Sequence, residues 1–155
     1  MRQARIPVRV LALCALLLCT ALVGPQLASA ATKVPASGTI TVLDNVVKST
    51  STVGGVTIAH AVAHVRFAGT LKGRATERYT SLTFPDKSVV LFGRGVFRGK
   101  IAGARHGTLR YTFDGNAANG VIFITRGAHG VRGTLPYALN SSTGVYDYSG
   151  RLRLP

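Results

Sequence analysis

The chain has 155 residues, with 19 Lys and Arg, 4 His and only 5 Asp and Glu, so each carboxylate can be placed individually. Asp44 is the most informative. Side chains in a strand alternate between two faces, and in Thr39 to Val47 that alternation puts Ile40, Val42 and Val46 on the same side as Asp44. An ionised carboxylate on an apolar face is costly unless it is paired or hydrogen-bonded, and desolvation raises its pKa. The pattern therefore predicts either a structural hydrogen bond or a catalytic acid, with Asp44 as the candidate catalytic residue. Glu77, the only glutamate, alternates with Ala75 and Tyr79 on a run whose two faces are hard to tell apart. It is a second, weaker candidate, with Tyr79 beside it.

Other chemistry is poorly supplied. His60 and His64 have the spacing of a helical zinc pair, but on a strand four residues span about 13 Å, too far for one ion. No metal site is expected. His106 and His129 are isolated in glycine-rich segments. Gly93-Arg94-Gly95-Val96-Phe97-Arg98-Gly99 has glycines near dinucleotide-fingerprint positions, but the third comes one place late and no helix follows. No G-x-S-x-G elbow is present. The residues imply no cofactor.

The elements that would position these residues follow from the rest of the pattern. Arg2, Arg5 and Arg9 precede an apolar run from Val10 to Val23, and Ala28-Ser29-Ala30 offers small residues beyond the Gly24-Pro25 break. These features predict a secretory signal peptide over residues 1–30, cleaved after Ala30, because the run falls short of the about 20 residues a membrane span needs. Both cysteines, Cys14 and Cys19, would leave with it. The exported domain then has no disulfide and relies on its core alone. Residues 31–37, with Pro35, are expected as a short linker before a domain over residues 38–155.

Within that domain, glycines punctuate short runs rich in Val, Ile, Thr, Phe and Tyr, a rhythm of strands and turns. Leu109, Tyr111 and Phe113 share a face, as do Tyr146, Tyr148, Leu152 and Leu154. Val89, Leu91, Phe97 and Ile101 lie with Gly93, Gly95 and Gly99, opposite Arg94, Arg98 and Lys100. Inward glycines let a long strand bend. Val56 to Phe67 is Ala-rich but reads as a strand between glycines, and Val121 to Thr125 reads as a strand covered on both sides. The expectation is an all-β fold, a single antiparallel β-barrel of about eight strands.

The C-terminal run from Ala138 to Leu154 joins a small-residue turn to Gly144-Val145-Tyr146-Asp147, then Tyr148-Ser149-Gly150 and an alternating end strand. It resembles the closing segment of allene oxide cyclases, especially bacterial secreted barrel domains of that kind, and more loosely dirigent proteins. Phe67-Ala68-Gly69-Thr70-Leu71 and Phe113-Asp114-Gly115 fit the same layout. The resemblance implies an eight-stranded barrel with an apolar small molecule in its lumen, and a homotrimer. In the plant enzymes a first-strand glutamate steers ring closure of an unsaturated fatty-acid epoxide. Thr41-Val42-Leu43-Asp44 falls at that motif, so Asp44 would stand for the glutamate, while Val46 occupies the place of an asparagine.

Two functional expectations follow. In the first, a secreted barrel binds a hydrophobic small molecule, lined by Phe97, Tyr111 and Phe113 with Glu77 and Tyr79 nearby and Asp44 as the polar anchor. If the barrel is an enzyme, it is a cyclase or isomerase whose lumen holds a folded reactive conformer, with Asp44 as the catalytic group. In the second, the barrel is solid and its formal charge of +14 serves adhesion to an anionic envelope or extracellular polymer. Specific nucleic-acid recognition is not expected, since no aromatic platform alternates with the basic residues.

Overall fold

The computed structural model describes residues 31–103 and 105–155, and the predicted leader lies outside them. Eight antiparallel strands follow one another around a closed barrel: β1 Thr32–Val53, β2 Val56–Gly69, β3 Leu71–Thr83, β4 Val89–Ile101, β5 Arg105–Gly115, β6 Asn119–Gly127, β7 Arg132–Asn140 and β8 Val145–Leu154. The one helical element among the described residues is a 3-10 turn at Ala128–Gly130. Val56 to Phe67 lies within strand β2, as its flanking glycines suggest. Gly54 and Gly55, at φ 58° and 80°, make the tight turn between β1 and β2, where two left-handed residues match the twist of the strands.

Residues 31–37 are not a linker. Thr32 to Ile40 pairs with Leu154 to Tyr146 and closes the barrel, and Ala36 is buried. Pro35 is tolerated because this part of β1 has a partner on one side only: pairing with β2 starts at Gly38. Beyond Ile40 the situation reverses. β1 continues against β2 as far as Val53, while β8 stops opposite Ile40. Val42, Leu43, Val46 and Val47 remain 42 to 56% exposed on this protruding arm.

One end of the barrel is filled. Phe67 lies at the centre of a ring cluster, 5.5 Å from Phe97, 6.1 Å from Tyr111 and 5.9 Å from Tyr148 between centroids. Leu109, Leu135, Leu152 and Ile101 complete the packing. Each such side chain contributes roughly 1.5–3 kcal/mol on leaving water. Tyr148 also serves as a fastener between distant segments. Its hydroxyl accepts the Leu71 N–H at 2.9 Å and donates to the Ala68 carbonyl at 3.2 Å, tying β8 to the turn between β2 and β3. Toward the other end the inward residues become small, at Ala61, Ala63, Ala75, Gly93 and Gly95, and the interior opens. Val121 to Thr125 is covered on one side only: Ile122 and Ile124 are buried, while Phe123 is 39% exposed.

Candidate functional site

Three residues in neighbouring strands form the base of the opening. Glu77 on β3 stands opposite Gly95 on β4, and Gly95 stands opposite Tyr111 on β5. With no side chain on Gly95, the Tyr111 ring leans across β4, and its hydroxyl donates a 2.6 Å hydrogen bond to Glu77 Oε1. Enclosure pushes the Glu77 carboxyl above its ordinary value of 4.5, and the Tyr111 hydrogen bond pulls it partly back. Tyr111 is pushed well above 10, first by burial and then by the charge of Glu77.

Above this base lies a cavity of about 150 Å³, walled by Ile40, Val42, Ala63, Val65, Leu91, Phe113 and Ile122, with Glu77, Tyr79, Asn45, Asn116, Tyr137 and Tyr146 supplying its polar atoms. Asn45 Nδ2 donates to the Tyr79 hydroxyl at 2.7 Å. Tyr137 and Tyr146 meet edge to face at 5.6 Å, and the Tyr146 hydroxyl donates to the Ala117 carbonyl at 3.0 Å. Burial, followed by the charge of Glu77, pushes the Tyr137 hydroxyl up to about 12. The site is thus an apolar chamber with one carboxyl and a rim of phenols. Its raised pKa means that Glu77 holds its proton to higher pH than an ordinary carboxyl does, and in the protonated form it can donate to a ligand oxygen and act as a general acid.

Asp44 is not in this chamber. The pairing of β1 with β2 runs in register to Val42↔Val65, then resumes at Asp44↔His64, so Leu43 is an extra residue. A β-bulge of this kind reverses the parity of the residues after it, here as far as Val47, where a second register shift precedes Ser49. Asp44 and Val46 therefore face outward, and Asn45 turns inward in their place. Asp44 Oδ1 meets His64 Nδ1 at 2.7 Å with both side chains about half exposed. Of the expected lining, Glu77, Tyr79 and Phe113 face the chamber. Phe97 is fully buried in the filled end and does not line it, and Tyr111 sits behind Glu77 as its hydrogen-bond partner.

Asn45, Tyr137 and Tyr146 were not among the predicted site residues. Alternation already placed Tyr146 inward, but the bulge hides Asn45 from any pattern reading. The histidines of β2 take separate partners, since His60 Nδ1 lies 3.0 Å from Thr80 Oγ1. A wider hollow of about 810 Å³ crosses the outer wall of β2 to β6, lined largely by exposed side chains such as His60, Arg78, Phe92, Arg94 and Phe123. It is open to solvent, whereas the smaller inner chamber holds the Glu77 carboxyl.

Neither a family model nor a curated protein matches this sequence. Among solved structures, the chain is similar to a protein of unknown function from the DUF3224 family of Shewanella oneidensis MR-1. The TM-score is 0.66 at 22% identity, over 81% of this chain and 98% of that one. At that identity the likeness shows the barrel fold alone.

Proposed function

We propose that this protein is an exported barrel that binds a small, mainly apolar molecule in the open end of its lumen, with Glu77 as the polar anchor. The observation that carries this reading is the enclosed Glu77 carboxyl, held by Tyr111 in a chamber that is otherwise largely apolar. Such a group is expensive to maintain unless it serves a bond or a ligand. A volume of about 150 Å³ admits a benzene-sized group, so the fitting ligand is a ring or short branched chain with one oxygen function. A longer tail would leave along Val42 at the mouth.

The resemblance to allene oxide cyclases supports isomerisation or ring closure as the reaction class, with the lumen holding a folded conformer. In this reading Glu77 replaces Asp44 as the acid, giving a proton to the ligand oxygen and taking one back, and no cofactor takes part. A homotrimer belongs to the same resemblance, and the exposed Val42, Leu43, Val46 and Val47 are surface that assembly would cover. Export rests on the leader residues before Ala31.

Native mass spectrometry of protein recovered from culture medium tests the reading. A small co-purifying mass is expected with the parent and with Asp44→Asn, and its loss with Glu77→Leu. Repeated recovery of the bare parent chain, or equal retention by Glu77→Leu, would overturn it.

A further inference from the structure

Three pairs of cations face one another across β3 and β4: Lys72 with Lys100, Arg74 with Arg98, and Arg78 with Arg94. All six are exposed, and Arg66 on β2 adds a further cation opposite Arg74. Like charges placed directly opposite on a ladder repel, and a solubilising surface gains nothing from that arrangement over interspersed charge. No carboxylate forms an ion pair with these cations, although Asp114 lines the same outer hollow as Arg78 and Arg94. Glu77 points inward, Asp114 stands on β5 opposite Phe92, and the one ion pair among the described residues is His64 with Asp44. Facing cations also occur at Lys33 with Arg153, Arg132 with Arg153 and Arg110 with Arg126. Only across β3 and β4 do three pairs follow one another in a row, and none of these six cations has an ion-pair partner among the described residues.

The geometry points to a docking stripe for a linear phosphodiester polymer of the polyol-phosphate type. Facing residues on a ladder have Cβ atoms about 5 Å apart, so each arginine pair can close on one phosphate from two sides with the planar fork that suits it. The rise of a strand separates the first pair from the second by about 7 Å and the second from the third by about 14 Å. These intervals suit successive or alternate phosphates of an extended chain. A narrow row fits a thread better than a flat membrane. Thr76 and Val96 fill the interval between the second and third pairs. The exposed rings Phe92 and Phe123 lie past or beside the last pair, so no aromatic platform alternates with the phosphates as base stacking needs.

Poly(glycerol phosphate) titrated into the intact protein at several salt concentrations tests this. Arg74→Gln/Arg98→Gln is expected to weaken binding about tenfold or more at 0.1 M salt and to reduce the slope of log K against log salt by about 1. The control Lys33→Gln/Arg151→Gln, which removes the same charge from exposed sites on β1 and β8, should stay within about twofold. Lys72→Gln/Lys100→Gln provides a second cut in the stripe should the arginine variant fold poorly. Equal losses in stripe and control variants would overturn the inference. So would tighter binding of the parent to an oligothymidylate of equal charge, or to vesicles of anionic lipid.

Discussion

The Tyr111 hydroxyl reaches Glu77 Oε1 at 2.6 Å by crossing a strand that lies between them. Strand neighbours two apart in a barrel do not ordinarily exchange side-chain hydrogen bonds, because the intervening residue fills the gap. Here that residue is Gly95, and the aromatic ring takes the space its side chain would occupy. The chamber's only carboxyl is thereby fixed by one bond and one missing side chain.

Glu77 should make stability fall as pH rises. Its folded-state pKa is raised above 4.5, so the native state holds the proton more tightly than the unfolded chain does. Its contribution is complete below that value and is lost as pH climbs through the raised one. Asp86 works the other way: hydrogen bonds from Ser88 lower its pKa, so its contribution is present above 3.8 and fades only in stronger acid. Urea midpoints from pH 4 to 8 should therefore decline more steeply for the parent than for Glu77→Gln. Parallel curves would show that Glu77 titrates as it does in the unfolded chain.

Gly95→Ala should destabilise, although alanine normally improves a strand. Its φ lies outside the left-handed region, so the backbone accepts alanine and the penalty is steric. The three atoms nearest the added Cβ all belong to the Tyr111 ring. Overpacking of this kind costs about 1–3 kcal/mol. In a Tyr111→Leu background most of that cost should vanish, giving a coupling of about 1 kcal/mol or more in a double-mutant cycle. Additive effects would mean that the ring does not lie over Gly95.

Much of this architecture was legible because the pleat imposes a period of two. The faces of β4, β5 and β8 follow directly from Phe97, Tyr111 and Tyr148 and the arginines opposite them. Alternation gives a face but not a depth, so Phe97 pointed inward yet belonged to the filled end. It also carries no information about an extra residue. Leu43 has no glycine or proline beside it to announce a bulge, and one step of parity exchanged Asp44 for Asn45. The importance of Glu77 depends on which residue stands opposite it on β4, a non-local pairing that β3 alone does not encode.

Asp44→Asn should leave the chamber untouched. The side chain lies on the outer wall against His64, with about half of each exposed to water. Exposed substitutions of this sort change stability by within about 0.5 kcal/mol. Ligand retention and the urea midpoint at pH 7 should match the parent. A marked loss of ligand would place Asp44 inside and require β1 to pair with β2 without the extra residue.

Tyr148→Phe should cost far more than Tyr146→Phe, although each removes one hydroxyl from β8. The Tyr148 oxygen sits in the filled end and satisfies both the Leu71 N–H and the Ala68 carbonyl. Phenylalanine would leave the buried Leu71 N–H without that partner, at about 1–3 kcal/mol for a buried unsatisfied group, and would also free the carbonyl of exposed Ala68. The Tyr146 hydroxyl meets a single carbonyl, that of exposed Ala117, at the open end, where water can replace it. Paired thermal melts should therefore show a drop of several degrees for Tyr148→Phe and little change for Tyr146→Phe. Equal drops would mean that the fastening of β8 onto the β2–β3 turn contributes nothing beyond the loss of an ordinary exposed hydrogen bond.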